Sequence, residues 1–235
     1  TAGILAVNLL GNPADLVQLR ELADTHDIFF IEDNCESMGA KVGGKFAGTH
    51  GDIGTFSSFF SHHISTMEGG MCLTDDLELA QVMTSLRAHG WTRELPPENF
   101  VFNKTGEAFD DLFRFILPGY NLRPLELSGA IGKEQLKKLP MLIAGRRENA
   151  EKFKAAFEGK EYLQFQAENG QSSWFGFAMI LKGSLAGRRA DVVRRLTELG
   201  IDSRPIVAGN FTRNPVMSHL DHVELPTLPN YDEVH

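Results

Sequence analysis

Residues 3–33 read GILAVNLLGNPADLVQLRELADTHDIFFIED, and this stretch decides the fold. The apolar run 3–10 predicts a buried strand, and Asn12 followed by Pro13 predicts the start of a helix. A second apolar run, 28–31, predicts another strand that ends in two acidic residues. Strand, helix and strand at this spacing form a βαβ unit, which implies a parallel sheet with ligands bound beyond the carboxyl ends of its strands.

The remaining pattern predicts an α/β large domain with a mainly parallel sheet, followed by a smaller α+β domain. The predicted elements are strands near 53–60 and 71–74, a helix at 77–89, helices at 125–138 and 143–157, a strand at 175–181 and a helix at 190–199. We place the domains at 1–144 and 145–235. Because the chain opens within a strand and stops after a proline-rich connection, we expect both domains to be partial, with material missing at both ends.

Composition excludes several classes of protein. The net charge is −8 and no dense run of Lys or Arg occurs, which argues against nucleic acid as the main ligand. No apolar run reaches membrane-spanning length, and two cysteines give no disulfide framework, so we expect a cytoplasmic protein. We interpret Cys35 and Cys72 as buried small residues.

Several polar residues follow the predicted strands. Asp33 lies at a strand end, where a carboxylate can pair with a protonated ring nitrogen of a ligand; a loop or capping aspartate is the alternative. Ser57 is suited to donate a hydrogen bond to a phosphate, although serines on strands are common. The pair Gly69-Gly70 permits close backbone approach to a ligand, or forms a plain turn.

The pair His62-His63 allows three interpretations. Adjacent residues on an extended segment point to opposite sides, so a metal site with both histidines is disfavoured. A packed structural histidine is the second interpretation. The third is a general base, because the reference pKa of histidine lies near neutrality. A shift of one residue in register exchanges the two rings, so the sequence leaves open which of them would act.

Four motifs occur in an order and at a spacing that identify a family resemblance. They are Asp33-Asn-Cys-Glu-Ser-Met-Gly-Ala40, Gly51-Asp-Ile-Gly-Thr-Phe-Ser57, Glu68-Gly-Gly70 and Gly119-Tyr-Asn-Leu-Arg-Pro124. Together they resemble the DegT/StrS family of sugar aminotransferases, which are pyridoxal-phosphate enzymes of fold type I with an aspartate-aminotransferase-like fold. The His-His pair and the segment 204–212 resemble the 3-dehydratase branch of that family, in which histidine replaces the Schiff-base lysine.

The resemblance implies roles for eight residues, carried over by position. His62 falls on the lysine position and would be the catalytic base. Asp33 would pair with the pyridine nitrogen, Glu36 would lie near the ring hydroxyl, and Ser57 would hold the phosphate. Asn121 would reach the phosphate of the neighbouring subunit's cofactor, which implies a homodimer with shared active sites. The residues expected near the sugar nucleotide are Arg123, Arg204 and Asn210.

The chemistry implied by the resemblance is the removal of a hydroxyl group. No lysine occurs between Lys45 and Lys104, so no amine near His62 can form the usual internal aldimine. The protein would hold pyridoxal 5'-phosphate as pyridoxamine 5'-phosphate, recharged by an amino acid such as glutamate. A nucleotide-linked 4-keto-6-deoxy sugar would condense to a ketimine and lose its 3-hydroxyl, in deoxysugar synthesis for lipopolysaccharide.

Two other functions remain open. An ordinary sugar aminotransferase of the same family is the alternative, and it requires a lysine near position 62. A non-catalytic homologue that keeps only the fold and the dimer interface is the third hypothesis. One branch of the dehydratases uses an iron–sulfur cluster, but the matching region here, Ala88–Arg93, contains no cysteine, so we expect no cluster and no metal.

Overall fold

The computed structural model describes residues 1–223, so the predicted end of the small domain, residues 224–235, lies outside the described residues. Two compact units are distinguished. The first contains Thr1–Lys152 and Glu168–Gly176, and the second contains Phe153–Ala167 and the chain from Phe177 onward. The predicted domains at 1–144 and 145–235 stay a prediction.

A four-stranded sheet forms the centre of the first unit. Its strands are β1 (Gly3–Val7), β2 (Phe29–Asp33), β5 (Ile53–Ser57) and β6 (Gly70–Leu73), in the order β1-β2-β5-β6. A hairpin of β3 (Lys41–Val42) and β4 (Lys45–Phe46) lies between β2 and β5 in the chain. The pairs β1–β2 and β2–β5 are parallel and β5–β6 is antiparallel, so the prediction of a mainly parallel sheet is confirmed.

The first helix packs on this sheet but begins later than predicted. Helix α1 is Leu16–His26, and the side chain of Asp15 caps it by accepting the N–H of Gln18 at 3.2 Å. The prediction that Asn12 caps the helix is wrong, because a 3-10 turn at Leu9–Gly11 precedes it and Asn12 ends that turn. The apolar face of α1 joins a core formed by small and apolar side chains, namely Ala6, Leu16, Ala23, Phe30, Ala40, Val42 and Ala47.

Three further helices follow the sheet: α2 (Leu77–Leu86), α3 (Ala108–Asp111) and α4 (Glu126–Ala156). The prediction of two separate helices at 125–138 and 143–157 is wrong, since α4 continues through Pro140. A proline inside a helix removes one helical hydrogen bond and crowds the preceding turn, so contacts on either side must offset that cost. Here Leu139 packs on the cluster of Met38, Phe56 and Ile64, and Ile143 lies against Gly39.

The second unit is smaller and contains its own hairpin and helix. Strands β7 (Leu163–Phe165) and β8 (Met179–Leu181) pair antiparallel, and α5 is Arg189–Glu198. Its aromatic cluster consists of Phe153, Phe157, Phe165 and Phe177, with ring centroids 4.7–5.9 Å apart. None of the helices within residues 1–223 combines the length and the apolar character that a bilayer crossing needs.

The buried carboxylate of Glu32 accepts several hydrogen bonds near the carboxyl ends of the parallel strands. Glu32 is fully buried on β2 and accepts N–H groups from Gly48 at 2.6 Å, from His50 at 2.6 Å and from Gly51 at 2.7 Å. The side-chain amide of Asn8 donates a fourth hydrogen bond at 3.2 Å. Glu32 therefore ties the loop before β5 to β2.

We expect Glu32→Gln to lower the free energy of unfolding by about 3 kcal/mol, because an amide group turns one acceptor oxygen into a donor that faces buried N–H groups. Denaturant unfolding followed by circular dichroism would measure the loss. The matched control is Glu21→Gln on the exposed face of α1. Equal stability of the two variants would contradict this role of Glu32.

Candidate active site

Two of the predicted polar residues, Asp33 and Ser57, lie where parallel strands end. Strands β1, β2 and β5 run in the same direction and end at Val7, Asp33 and Ser57. Parallel strands present their carboxyl ends at one edge of a sheet, the edge at which α/β proteins bind ligands. Asp33 and Ser57 are both partly exposed there.

The backbone of Cys35 joins two of the predicted site residues. Its N–H donates to Oδ1 of Asp33 at 3.1 Å, and its carbonyl oxygen accepts a hydrogen bond from Nδ1 of His62 at 2.9 Å. The hydroxyl of Thr55 also lies 3.5 Å from Oδ1 of Asp33. A carboxylate and an imidazole are thereby held on either side of one residue.

The contact with Cys35 determines the tautomer of His62. A carbonyl oxygen can only accept a hydrogen bond, so Nδ1 carries the proton in the neutral ring and Nε2 keeps its lone pair. The imidazole is half-buried and meets Phe59 and Phe175 in edge-on contacts, with centroids 5.9 and 5.2 Å away. The geometry suits a proton acceptor at Nε2.

His63 lies in the opposite environment. Its ring is 3% exposed, and Nε2 donates to the carbonyl oxygen of Ser173 at 3.3 Å. Burial lowers the pKa of His63 to about 4, with smaller contributions from the charges of Arg146 and His62. His63 therefore stays neutral near pH 7, and its environment suits a structural histidine.

The chain around the two histidines is a turn, so the prediction of an extended segment is wrong. The N–H of His62 donates to the carbonyl of Phe59 at 3.0 Å, which closes the turn. Both imidazoles contact the ring of Phe175 instead of pointing to opposite sides. The two rings differ in how deeply they are buried, and the alternation of side chains along a strand does not apply to them.

The two cysteines lie in different environments. Burial raises the pKa of Cys35 to about 11, assisted by the hydrogen bond to Asp33 and by its charge, so the thiol stays protonated at neutral pH. Its Sγ lies 3.8 Å from Oγ1 of Thr55. The interpretation of both cysteines as buried is wrong for Cys72, which is exposed on β6, and Cys35 is only partly buried.

Ser57 and Glu36 each make one local contact. Oγ of Ser57 accepts the N–H of Phe59 at 3.1 Å, which leaves its own O–H available to donate to a ligand. Oε2 of Glu36 accepts the N–H of Leu10 at 2.9 Å and so fixes the loop that follows β1. The neighbouring hydroxyl of Ser58 is buried and bonded to Thr66 at 2.6 Å.

Two other predicted residues of the first unit lie in an exposed loop. Asn121 pairs through its backbone with Ala88, and Arg123 forms an ion pair of 3.6 Å with Glu94. Within residues 1–223, none of the hydrogen bonds of these two residues reaches Asp33, Cys35 or His62. Their roles stay predictions.

The last two predicted residues belong to the second unit. Arg204 is exposed, whereas Asn210 is 5% exposed. Oδ1 of Asn210 accepts the N–H of Thr212 at 3.1 Å and its hydroxyl at 2.6 Å, so this side chain caps a short 3-10 helix. A role near the sugar nucleotide stays a prediction for both.

Sequence analysis missed the segment that packs against the histidines. We call Gln171–Phe175 the strap. Its last residue, Phe175, falls within the strand predicted at 175–181, and that prediction is wrong at its start because the strand begins only at Met179. The main chain of the strap instead bonds to the loop after β1 and to two arginines of α4, Arg146 and Arg147. The adjacent arginines on a helix that also packs inward are the signal that would have indicated a buried polar contact.

The chain is similar in sequence to known proteins along its whole length. A family model described as the DegT/DnrJ/EryC1/StrS aminotransferase family matches residues 1–235. A GDP-4-keto-6-deoxy-D-mannose 3-dehydratase of Yersinia pseudotuberculosis is 58% identical over 215 residues, which is 91% of this chain and 55% of that protein. The chain thus spans about half the length of this relative.

Solved structures give the same likeness. The Escherichia coli GDP-4-keto-6-deoxy-D-mannose-3-dehydratase with bound hydrated PLP superposes with a TM-score of 0.95 at 50% identity, over 100% of this chain and 61% of the other. A GDP-4-keto-6-deoxymannose-3-dehydratase with a trapped PLP-glutamate geminal diamine matches with the same TM-score, identity and coverage. The predicted α/β fold class and the likeness to the 3-dehydratase branch are confirmed.

The low pKa of His63 predicts a pH dependence of stability. The unfolded chain binds a proton near the reference pKa of 6.5, whereas folded His63 resists protonation down to about 4. The stabilisation is therefore complete above pH 6.5 and is lost as the pH falls toward 4. We expect His63→Gln to flatten this slope in unfolding measurements between pH 4 and 7.5.

The matched control is His26→Gln on the exposed last turn of α1. It should keep the slope of the wild type. A slope in His63→Gln that equals the wild-type slope would contradict the neutral, buried state of His63.

Proposed function

Because the chain belongs to the DegT/DnrJ/EryC1/StrS aminotransferase family, we propose that the protein is a lyase of its 3-dehydratase branch. The proposed substrate is GDP-4-keto-6-deoxymannose, a nucleotide-linked 4-keto-6-deoxy sugar, from which the enzyme removes the 3-hydroxyl. The proposed setting is deoxysugar synthesis for surface polysaccharide in the cytoplasm. The products would be a 3-deoxy keto sugar, ammonia and the 2-oxo acid of the amine donor, whose oxidation supplies the two electrons that replace the hydroxyl by hydrogen.

One observation carries the proposal: the hydrogen bond that His62 makes to Cys35 suits a general base. Nδ1–H of the neutral ring donates to the carbonyl of Cys35, so Nε2 is the atom that would take up a proton. No lysine occurs between Lys45 and Lys104 that would supply an amine in its place. Removal of a hydroxyl group through proton abstraction is therefore favoured over transfer of an amino group.

The side chains at the sheet edge fit pyridoxamine 5'-phosphate. When bound, this cofactor supplies an amine for the sugar ketone and a ring that accepts electrons as the hydroxyl leaves. The carboxylate of Asp33 would hold a proton on the ring nitrogen, and the N–H of Cys35 orients that carboxylate. The hydroxyl of Ser57 would donate to the phosphate, and Glu36 would lie near the ring hydroxyl.

Other proposed contacts complete the site. Asn121 is exposed, as a residue that reaches the cofactor of a second subunit must be, and we propose a homodimer with shared sites. Arg123, Arg204 and Asn210 would contact the sugar nucleotide. Glutamate is the proposed amine donor, since a similar structure contains a trapped PLP-glutamate adduct.

The proposal is tested with full-length protein, the cofactor, glutamate and the GDP-linked 4-keto sugar. Release of ammonia and a product that lacks the 3-oxygen would support it. An ordinary aminotransferase would instead return an amino sugar and would give a pyridoxyl-lysine adduct after borohydride reduction. Detection of that adduct in mass spectra would overturn the dehydratase assignment.

We expect His62→Asn to reduce dehydration by at least about 100-fold, because it removes the proton acceptor. Cofactor affinity, measured by the absorbance of the bound form, should stay close to that of the wild type. His26→Asn is the control for a histidine outside the site. Loss of cofactor binding together with activity would show that His62 serves binding and not proton transfer.

We also expect Asp33→Asn to lower kcat by about 100-fold while the denaturation midpoint changes little, because a neutral amide cannot retain a proton on the ring nitrogen. The comparison variant is Asp75→Asn, which alters an exposed aspartate. Turnover by Asp33→Asn at the wild-type rate would remove Asp33 from the mechanism.

A further inference from the structure

We propose that Phe175 is a positioning residue for His62, holding the imidazole in the orientation in which Nε2 accepts a proton. This inference rests on the proposed function for the role of His62. The ring of Phe175 meets the imidazole edge-on, with centroids 5.2 Å apart and planes at 75°. Such contacts between aromatic rings add stabilisation and fix relative orientation.

His62 needs this support because its ring torsion is intrinsically soft. The outer side-chain torsion of histidine has broad, roughly two-fold preferences, so one hydrogen bond to Cys35 leaves the ring free to tilt. Phe59 also contacts the imidazole, at 5.9 Å, but it lies in the same turn as His62 and moves with it. Phe175 comes from elsewhere in the chain, so its contact supports the ring of His62 independently of that turn.

Phe175 can hold the ring of His62 in place because the backbone of the strap is itself held by several hydrogen bonds. Nη1 of Arg146 donates to the carbonyl oxygens of Trp174 and Phe175, both at 3.0 Å. The guanidinium of Arg147 donates to the carbonyl of Ser172 at 2.9 Å. Helix α4 therefore holds the backbone of the strap on both sides of Trp174.

The loop after β1 holds the other side of the strap. The N–H of Ser173 donates to Gly11 at 2.8 Å, and the N–H of Phe175 donates to Leu10 at 3.1 Å. A Cβ atom at Gly11 would collide with the backbone nitrogens of Trp174 and Phe175, so the two segments are in direct backbone contact. Both ends of Phe175 are thus hydrogen-bonded, through its N–H and its carbonyl oxygen.

Trp174 shows how closely this position is specified. It is 4% exposed and has a φ of 51°, a left-handed conformation that is rare for a bulky residue. Strained backbone of this kind persists only where the surroundings over-determine it, and it is concentrated at functional sites. The strain and the hydrogen bonds on both sides together direct the next side chain, that of Phe175, onto the histidines.

His63 completes the connection between the strap and the base. Its Nε2 donates to the carbonyl of Ser173, and its ring lies 5.7 Å from that of Phe175. Phe175 is therefore in contact with both imidazoles, and the guanidinium of Arg146 lies 5.9 Å from its ring. The buried His63 therefore links the turn that contains His62 to the strap through its hydrogen bond to Ser173.

The test compares Phe175→Leu, Phe175→Tyr and the control Phe30→Leu in full-length protein. Phe30 is a fully buried ring of the core that does not contact His62, so its loss costs stability without touching the base. We expect Phe175→Leu to lower kcat about tenfold with unchanged KM and cofactor affinity, since misplacement of a reacting group slows chemistry. Phe175→Tyr, which keeps the ring, should restore kcat, and Phe30→Leu should retain it.

The second measurement does not depend on turnover. Nitrogen chemical shifts of ¹⁵N-labelled histidine, assigned with His62→Asn, report which ring nitrogen of His62 carries the proton. We expect one tautomer, protonated at Nδ1, in the wild type and in Phe175→Tyr, and a mixture of tautomers in Phe175→Leu.

Unchanged kcat and tautomer in Phe175→Leu would overturn the inference. So would a change in KM or cofactor affinity with the tautomer intact, which would make Phe175 a wall of the binding site. A wild-type protein without dehydratase activity would overturn the proposed function alone, because the nitrogen shifts test the positioning in the absence of the reaction.

Discussion

The buried carboxylate of Glu32 is the interaction on which the rest of the site depends. On β2 it accepts hydrogen bonds from three backbone N–H groups of the 48–51 loop and from the side-chain amide of Asn8, which directly follows β1. Successive side chains of a strand point to opposite faces, so a fixed Glu32 also fixes the direction of Asp33. The same loop leads into β5, at whose end Ser57 lies. The buried carboxylate of Glu32 therefore orients the carboxylate of Asp33 and positions the strand that carries the hydroxyl of Ser57.

The two adjacent histidines show how packing gives identical side chains different hydrogen bonds and different burial. His62 is partly exposed and bonded through Nδ1, whereas His63 is buried, bonded through Nε2 and held neutral. Residues distant in the chain create this difference, because Cys35 provides one acceptor and Ser173 the other. The tautomer of each histidine is thus set by a hydrogen bond to a backbone carbonyl group, which does not depend on the type of side chain at that position.

Parts of the structure with a local origin could be predicted from the sequence. The βαβ unit at residues 3–33 and the mainly parallel sheet follow from apolar periodicity, and Asp33 at a strand end follows from that topology. The start of α1 could not be placed, because Asn12 and Asp15 are both good caps and only the 3-10 turn at Leu9–Gly11 chooses between them. Likewise, Pro140 predicts a break in α4 that packing of Leu139 and Ile143 overrides. The strap has no periodicity of its own, since its hydrogen bonds lead to other elements.

The strap also has a consequence for how the protein is made. Its contacts join positions far apart in the chain: the hydroxyl of Ser172 reaches Gly11 across 161 residues, and Ser173 reaches His63 across 110. A ribosome adds about 5–20 residues per second, so His63 leaves the peptidyl-transferase centre roughly 5–22 s before its partner exists. During that interval the histidine turn lacks the segment against which it later packs. The nascent chain therefore contains the histidine turn before it contains the strap on which that turn packs, so this packing can form only after the strap has been synthesised.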